Sequence, residues 1–182
     1  GTHTITIRAT DNCGAITDAT FQLQVTNTAP GFTPASAIAR QQGSAAGAAV
    51  TVGTVADAQT PAGSLTVTQV AGGTASGISV ADITNTAGMI AATLAASCSA
   101  TTGTVRFQVS DGGLNGTGDL QLDVAANTNP VLTYANQSVG SGGGAVIDPA
   151  SGPGDNGLVA TVAVQSPGTY TGAISVDAAG VV

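Results

Sequence analysis

The 182-residue sequence contains no tryptophan, no lysine and no glutamate, and only 3% of its residues are aromatic. All ten acidic residues are Asp, and the three basic residues are Arg8, Arg40 and Arg106. Without Lys and Glu, the chain lacks two of the best helix formers for surface positions. Its 26 Gly and abundant Thr and Val favour turns and strands instead. The composition therefore excludes an all-α fold and predicts a core of small side chains.

The charge balance excludes several classes of function. A net charge of -7 repels phosphate backbones, so we expect no nucleic-acid binding. No apolar run approaches the ~18 residues of a membrane span, so we expect no membrane insertion. With one His and no Lys or Glu, the groups for general acid–base chemistry are scarce. Asp57, Asp82 and Asp177 show no spacing typical of a carboxylate pair, and we predict that the chain is not an enzyme.

An internal repeat of 100 residues organises the chain. Asp11 and Asp111 are 100 residues apart, as are the segments 27–30 and 127–130. Between these anchors, residues 21–25 match residues 120–124, and before them residues 5–7 match residues 105–107. A weaker match relates Gly77–Val80 to Ala173–Val176 and Ala87–Ile90 to Ala179–Val182. The period is the size of one β-sandwich domain.

The complete copy of the repeat predicts an antiparallel sandwich of seven strands, because short alternating segments are separated by turn residues. The predicted strands are Phe32–Ile38, Ala48–Val55, Ser64–Val70, Gly77–Val80, Gly88–Ala95, Gly103–Val109 and Gly118–Val124. The Ala-rich segment 89–96 is also compatible with a short helix. We favour a strand there, since Gly, Thr and Ser clusters bound it and the repeat requires a strand.

The segment Ile5–Gly14, followed by Ala19–Val25 and Asn27–Pro30, resembles the last two strands of bacterial immunoglobulin-like or cadherin-like surface repeats. The second copy has the same layout through residues 109–113 and 127–130. This resemblance implies tandem immunoglobulin-like (Ig-like) β-sandwiches in a large extracellular or cell-surface protein.

The repeat divides the chain into three parts, one of which is a complete domain. Residues 1–27 are expected to form the C-terminal hairpin of a split Ig-like domain, residues 28–127 a complete Ig-like domain, and residues 128–182 the first strands of the next split domain. An isolated hairpin and an open layer cannot cover their own apolar faces. We therefore expect the C-terminal part of one copy and the hairpin of the next copy to form one sandwich.

The join between copies is short by about ten residues relative to the complete domain. Either a stretch is absent from the sequence, or the chain ends there and strand addition in trans completes the domain. Gly1 follows no signal peptide, so we expect a mature or excised segment. The hairpin would present Ile5, Ile7, Phe21, Leu23 and Val25 to the neighbouring copy.

The two cysteines, Cys13 and Cys98, lie at different places in the repeat and cannot form the inter-sheet pair of an antibody domain. In a seven-strand sandwich they lie at opposite poles, so a stacked array brings Cys98 of one copy near Cys13 of the next. An oxidising compartment would favour a disulfide between copies. The alternative is two buried small hydrophobic side chains. Two Cys and one His lack the fourth ligand of a zinc site.

Calcium is the only cofactor that the sequence suggests. Asp11 and Asp111 resemble the Asp-bearing strand ends of cadherin repeats, and Asp155 with Asn156, and Asp148, offers further oxygen ligands. The acidic linker of cadherin repeats is missing, whereas calcium sites need several converging carboxylates. The alternative is that Asp11 and Asp111 accept hydrogen bonds from their own turns.

Other ligands have weaker support. His3 is expected to be a polar strand residue, and Tyr134 and Tyr170 are too few for an aromatic sugar-binding platform. Glycan attachment is possible at Asn115-Gly116-Thr117 and Asn136-Gln137-Ser138, although sequons this short occur by chance.

The sequence thus predicts a structural repeat of an extracellular filament or surface fibre, whose partners are copies of itself in a head-to-tail array. The first alternative is a stalk repeat of a large surface adhesin, with calcium as a stabiliser. The second is a carbohydrate-binding module.

Overall fold

The computed structural model describes residues 1–155 and 159–182 and is built from strands, with one short 3-10 helix at Ala62–Ser64. In chain order the strands are β1 (Thr2–Thr10), β2 (Ile16–Gln24), β3 (Gly31–Pro34), β4 (Ile38–Gln41), β5 (Val50–Ala56), β6 (Thr66–Val70), β7 (Ile78–Thr86), β8 (Met89–Ala96), β9 (Gly103–Ser110), β10 (Asn115–Ala125), β11 (Val131–Thr133) and β12 (Ser151–Gly154). The predicted all-β fold is confirmed. Within the described ranges, no helix has the length and apolar character needed to cross a bilayer.

Strands β3 to β10 form two four-stranded sheets. One sheet has the order β4-β10-β9-β6 and the other has the order β3-β5-β8-β7. Side chains from both sheets meet in one core, as expected for a β-sandwich. The largest fully buried side chains are Phe107, Ile90, Leu94, Leu120, Leu122, Val52 and Val109.

The core is closed at one end by a pair of stacked rings. Phe32 on β3 lies against Phe107 on β9, with ring centroids 5.2 Å apart and an interplanar angle of 17°. Gly118 on β10 makes room for this pair, because a Cβ atom there would lie 2.6 Å from the Phe32 ring. The large side chain of Phe32 on one sheet thus packs over a glycine, which has no side chain, on the other sheet.

The first predicted strand, Phe32–Ile38, is wrong as a single strand. The structure divides it into β3 and β4, which belong to different sheets. Pro34 ends β3, and proline has no N–H group with which to continue a ladder. The chain then crosses to the opposite sheet, where β4 runs parallel to β10. The sandwich therefore has eight strands rather than seven, and one of its strand pairs is parallel.

The Ala-rich segment at 89–96 is a strand, as predicted, because β8 pairs with both β5 and β7. The tight turn before it depends on Asn85. The Asn85 side chain donates to the carbonyls of Ala62 and Leu65, each at 2.8 Å, and accepts from the N–H of Gly88 at 2.8 Å. Gly88 has φ +95°, a backbone conformation that residues other than glycine rarely adopt.

The remaining strands form two small sheets outside this sandwich. β1 pairs with β2 in an antiparallel hairpin, and β11 pairs with β12. Short joints connect these pieces to the sandwich through residues 25–30 and 126–130.

Candidate assembly surfaces

The β1–β2 hairpin has one apolar face and one polar face. In its register Ile5 lies opposite Phe21, and His3 lies opposite Leu23. Because side chains alternate along a strand, Ile5, Ile7, Phe21, Leu23 and Val25 point to the same side; these five residues are the apolar face. The opposite side of β1 carries Thr2, Thr4, Thr6, Arg8 and Thr10.

Within residues 1–155 and 159–182, nothing covers the apolar face. The exposed fractions are 58% for Ile7, 51% for Phe21, 48% for Leu23 and 53% for Val25. Every residue of β2 is exposed, and Ile5 is the only residue of β1 that is half-buried. The structure thus brings together the five predicted hairpin residues and leaves them facing solvent.

The equivalent residues of the central sandwich are buried. There Val105 lies opposite Leu120 and Gly103 lies opposite Leu122. The hairpin has the same two pairs, with Ile5 opposite Phe21 and His3 opposite Leu23. Val105 is 4% exposed, and Phe107, Leu120 and Leu122 are each 0% exposed. The hairpin therefore has the register and pattern of β9–β10, but it lacks the sheet against which β9–β10 pack.

The C-terminal part of the chain contains an open groove of about 490 Å³ with both polar and apolar lining. Ile147 and Val182 pair across it through two backbone hydrogen bonds of 2.7 and 3.0 Å. The groove is lined by Gln137, Val139, Gly143, Gly144, Ala145, Ile147, Tyr170, Ala173, Ile174, Ser175 and Val182. We call it the C-terminal groove. Its side chains come from segments that precede β9 and β10 in the repeat.

Two segments beside the C-terminal groove have no ladder partner in the described residues. Residues 135–140 follow β11 as β4 follows β3, and residues 159–164 precede Ile174 as β6 precedes β7; neither forms a strand. In the central sandwich β4 pairs only with β10, and β6 pairs only with β9. By contrast, β11 and β12, whose counterparts β3 and β5 pair with each other, do form a ladder.

The predicted calcium ligands Asp11 and Asp111 each stabilise a turn. Oδ1 of Asp11 accepts the N–H groups of Cys13 at 2.9 Å and Ala15 at 2.8 Å. Oδ1 of Asp111 likewise accepts the N–H groups of Gly113 and Leu114, each at 2.7 Å. Hydrogen bonds from these two backbone groups, with one from an Asn side chain, hold the pKa of Asp111 below its usual value. Both carboxylates thus have the turn-stabilising role that was the alternative to calcium.

Across residues 1–155 and 159–182, no three side chains of His, Cys, Asp or Glu converge as a metal site requires. The structure therefore does not bring Asp11, Asp111 and Asp155 together. Asn156, another suggested ligand, lies outside the described residues. The two sequon asparagines, Asn115 and Asn136, are exposed.

Two ion pairs lie on the polar faces of the hairpins. Arg8 binds Asp18 through two hydrogen bonds of 2.7 Å, and Arg106 binds Asp119 in the same way. The hydrogen bond from Arg8 lowers the pKa of Asp18, and that from Arg106 lowers the pKa of Asp119. All four side chains are more than a third exposed, so each pair contributes little to stability.

The two cysteines are free and exposed, so the alternative of two buried hydrophobic side chains is wrong. Cys13 lies in the β1–β2 turn. Cys98 follows β8, and its Sγ atom lies 3.9 Å from the point that a Cβ atom on Gly43 would occupy. The same point lies 3.4 Å from Oδ1 of Asn127. Cys98 is therefore at the pole of the sandwich that meets the second joint.

Polar contacts fix the two joints to the poles of the sandwich, and the sequence did not predict them. At the first joint, Nδ2 of Asn27 donates to Oδ2 of Asp111 at 2.8 Å. At the second, Nε2 of Gln41 donates to the hydroxyl of Thr128 at 2.6 Å, and the N–H of Asn127 donates to a Gln42 side chain at 3.3 Å. The Asn that recurs at positions 27 and 127 was the one feature of the sequence that could have indicated these contacts.

Comparison with known proteins assigns no family to this chain. No protein-family model and no curated protein matches it. Weak likenesses exist to solved structures. A chimeric titin Z1Z2 tandem matches at TM-score 0.34 and 19% identity, over 69% of this chain and 65% of its own. Domains 4-9 of the surface layer protein SbsC match at TM-score 0.31 and 12% identity, over 81% of this chain and 23% of theirs.

Two further likenesses correct one expectation. Two structures of the endo-fucoidan hydrolase MfFcnA4, of glycoside hydrolase family 107, match at TM-score 0.37 with 16% and 17% identity. This chain spans only 20% and 21% of their lengths. The prediction that the chain is not an enzyme is contradicted by these matches, and we withdraw it. Likenesses at this level transfer neither a function nor a catalytic residue.

Proposed function

We propose that this chain is a structural repeat of an extracellular filament or surface fibre, in which the hairpin of one copy completes the open sandwich of a neighbouring copy. One observation carries the proposal. Four of the five residues of the apolar face are exposed here and Ile5 is half-buried, while all of the matching residues of β9 and β10 except Val124 belong to the core of the central sandwich. The proposed occupant of the C-terminal groove is therefore the hairpin of a second copy.

Strand pairing supports the same arrangement. In the central sandwich β9 and β10 lie between β6 and β4 and provide the only ladder partner of each. A docked hairpin would provide partners for residues 159–164 and 135–140 in the same way. Backbone groups left without a partner are costly once they are buried. Docking therefore has to satisfy both edges of the hairpin together.

The sizes of facing side chains are also complementary. In the central sandwich the large Phe32 packs over Gly118. The repeat places Leu132 at the position of Phe32 and Ala19 at the position of Gly118, so a smaller residue faces a larger one and the combined size changes little. One position differs. Gly116 of the central sandwich lies against the carbonyl of Pro30, and the hairpin has the larger Thr17 at that position. The second joint must therefore lie further from the docked hairpin than the first joint does from β10.

The energy of docking depends on both surfaces. The five side chains of the apolar face are about half exposed, so burying the rest of them contributes roughly 4–8 kcal/mol, at about half of the 1.5–3 kcal/mol for each fully exposed side chain. Bringing two chains together costs about 4–15 kcal/mol. The hairpin alone therefore barely offsets the cost, and burial of Leu132, Ile147, Ile174 and Val182 on the receiving copy must add to it. In this proposal, completing the fold and assembling the fibre are one step.

The proposal also places the fibre outside the cell. Cys13 and Cys98 are both exposed, and pairing exposed thiols between copies requires an oxidising environment.

The experiment compares the 182-residue chain with two variants of one strand. Leu23→Asp puts a charge on the apolar face, and Thr20→Asp puts the same charge on the polar face of β2 as a matched control. Negative-stain electron microscopy and sedimentation should show fibres for the wild type and Thr20→Asp, and monomers for Leu23→Asp. Deleting residues 1–25 should also abolish association while the central sandwich stays folded. Normal fibres from Leu23→Asp, or a wild type that stays monomeric at about 1 mM, would overturn the proposal.

A further inference from the structure

We propose that Cys13 of one copy and Cys98 of the neighbouring copy form a disulfide that locks the docked hairpin in place. This inference rests on the proposed function, because the two thiols meet only when a hairpin occupies the C-terminal groove of another copy. Its support comes from the first joint, where the equivalent contact is present within one chain.

At the first joint, the β9–β10 turn touches the chain that enters the sandwich. Asn27 donates to Oδ2 of Asp111 at 2.8 Å. Gly113, the second residue after Asp111, donates its N–H to Oδ1 of Asp111 at 2.7 Å. A Cβ atom on Gly113 would lie 3.5 Å from Nδ2 of Asn27. A side chain at this turn position would therefore point at the joint.

At the second joint, the docked hairpin brings its own turn to the corresponding place; this turn is one residue longer, because Asp11 closes on Ala15 whereas Asp111 closes on Leu114. Cys13 is the second residue after Asp11 and donates its N–H to Oδ1 of Asp11 at 2.9 Å. Asn127 occupies the place of Asn27, since the two lie 100 residues apart. Docking by the geometry of the first joint thus puts the turn that carries Cys13 next to Asn127.

Cys98 already lies near Asn127. A Cβ atom on Gly43 would lie 3.9 Å from Sγ of Cys98 and 3.4 Å from Oδ1 of Asn127. Cys98 also stands in an exposed turn between β8 and β9, where its side chain can rotate. A disulfide requires the two Cβ atoms to approach to about 3.5–4.5 Å. The turn at Cys13 and the turn at Cys98 therefore converge on one small region of the joint.

The bond forms by thiol–disulfide exchange with a small external disulfide, RSSR. The Cys13 thiolate attacks one sulfur of RSSR, forms a mixed disulfide and releases one RS⁻. The Cys98 thiolate then attacks the Cys13 sulfur and releases the second RS⁻. Two protein thiols are oxidised, RSSR is reduced to two RSH, and the two protons from the protein thiols end on the RSH products. Each copy uses Cys13 toward one neighbour and Cys98 toward the other, so the links extend along the whole fibre.

The test uses assembled fibres treated with oxidised glutathione and then denatured in SDS without reductant. The wild type should give a ladder of multiples of the 17.3 kDa chain, which collapses to monomer with reductant. A one-to-one mixture of Cys13→Ser and Cys98→Ser chains should give dimers and residual monomer but no larger multiples, and peptide mass spectrometry should find Cys13 joined to Cys98. Leu23→Asp keeps both thiols but cannot dock, so its ladder should be absent.

The outcomes separate this inference from the proposed function. Fibres that retain two free thiols per chain after oxidation would overturn the disulfide and leave hairpin docking intact. A ladder from Leu23→Asp equal to that of the wild type would show an adventitious crosslink and would also overturn the inference. An absence of fibres from the wild type would overturn the proposed function itself. The double variant Cys13→Ser/Cys98→Ser should still form fibres, but ones that dissociate fully in SDS at room temperature.

Discussion

Truncating one leucine of the apolar face should weaken assembly and leave the stability of the monomer unchanged, while truncating its counterpart in the central sandwich should destabilise the domain. The pair is Leu23→Ala and Leu122→Ala. Both leucines occupy the same register position, opposite His3 and Gly103 respectively. In the single, unassembled chain, however, Leu23 is 48% exposed and Leu122 is 0% exposed. The same chemical change is thus made in two different environments.

The size of each effect follows from burial. A buried Leu→Ala change costs about 2–5 kcal/mol, from lost transfer energy and the cavity that remains. For Leu122→Ala this loss appears in the free energy of unfolding of the monomer. For Leu23→Ala it appears only after docking, so the dissociation constant between copies should rise by at least about 30-fold, at 1.4 kcal/mol per tenfold.

The assay measures folding and association separately. Urea denaturation below the assembly concentration gives the stability of each monomer, and analytical ultracentrifugation over a concentration series gives the association constant. Leu23→Ala should denature at the wild-type midpoint and assemble only at higher concentration. Wild-type association by Leu23→Ala would refute docking through the apolar face. A loss of monomer stability near that of Leu122→Ala would show instead that the hairpin is already packed within its own chain.

Three further predictions test individual features. Asn85→Ala removes three hydrogen bonds from the turn before β8 and should lower the stability of the sandwich in urea by about 2–3 kcal/mol, at about 1 kcal/mol each. Because the folded-state pKa of Asp111 is lowered from 3.8, its stabilisation is complete above that pH and is lost as the pH falls through the folded pKa. The difference in melting temperature between wild type and Asp111→Asn should therefore be constant above about pH 5 and shrink below pH 4; an unchanged difference would contradict the hydrogen-bond assignment. Ala19→Phe should block assembly by overfilling the space facing Leu132, with no change in monomer melting.

The sequence predicted most of the sandwich because the repeat and the alternation of apolar residues act locally. The strands from β5 to β10 lie close to the predicted positions, including the Ala-rich β8, except that β7 continues to Thr86, six residues beyond its predicted end at Val80. The split of the first strand was not predicted. Pro34 was available as a signal, since proline ends a ladder. The parallel pairing of β4 with β10 depends instead on which sheet the chain joins after the break, and that is decided by packing over the whole domain.

The candidate assembly surfaces were predictable only in part. The repeat identified the apolar face, because residues 5–7 and 21–25 align with buried strands of the second copy. The C-terminal groove was not predicted, since it is formed by segments that lie far apart in the sequence, at Val139, Ile147, Ile174 and Val182. The roles of Asp11 and Asp111 were left open by sequence, because one Asp can either ligate calcium or accept backbone hydrogen bonds. The turn geometry gives the second role directly.

An exposed apolar hairpin would be an aggregation hazard if any strand edge could pair with it, and the hairpin has features that restrict its partners. Its two faces differ, so a partner must cover the side of Ile5, Ile7 and Phe21 and leave the other side in water. A slip of one residue in register would turn every side chain to the opposite face. It would bury the Arg8–Asp18 ion pair and expose the apolar residues, and burying two charges costs several kcal/mol for each ion. A surface with two open ladder edges in the correct register and a groove between them avoids this cost, and in the proposed assembly the C-terminal part of another copy provides that surface.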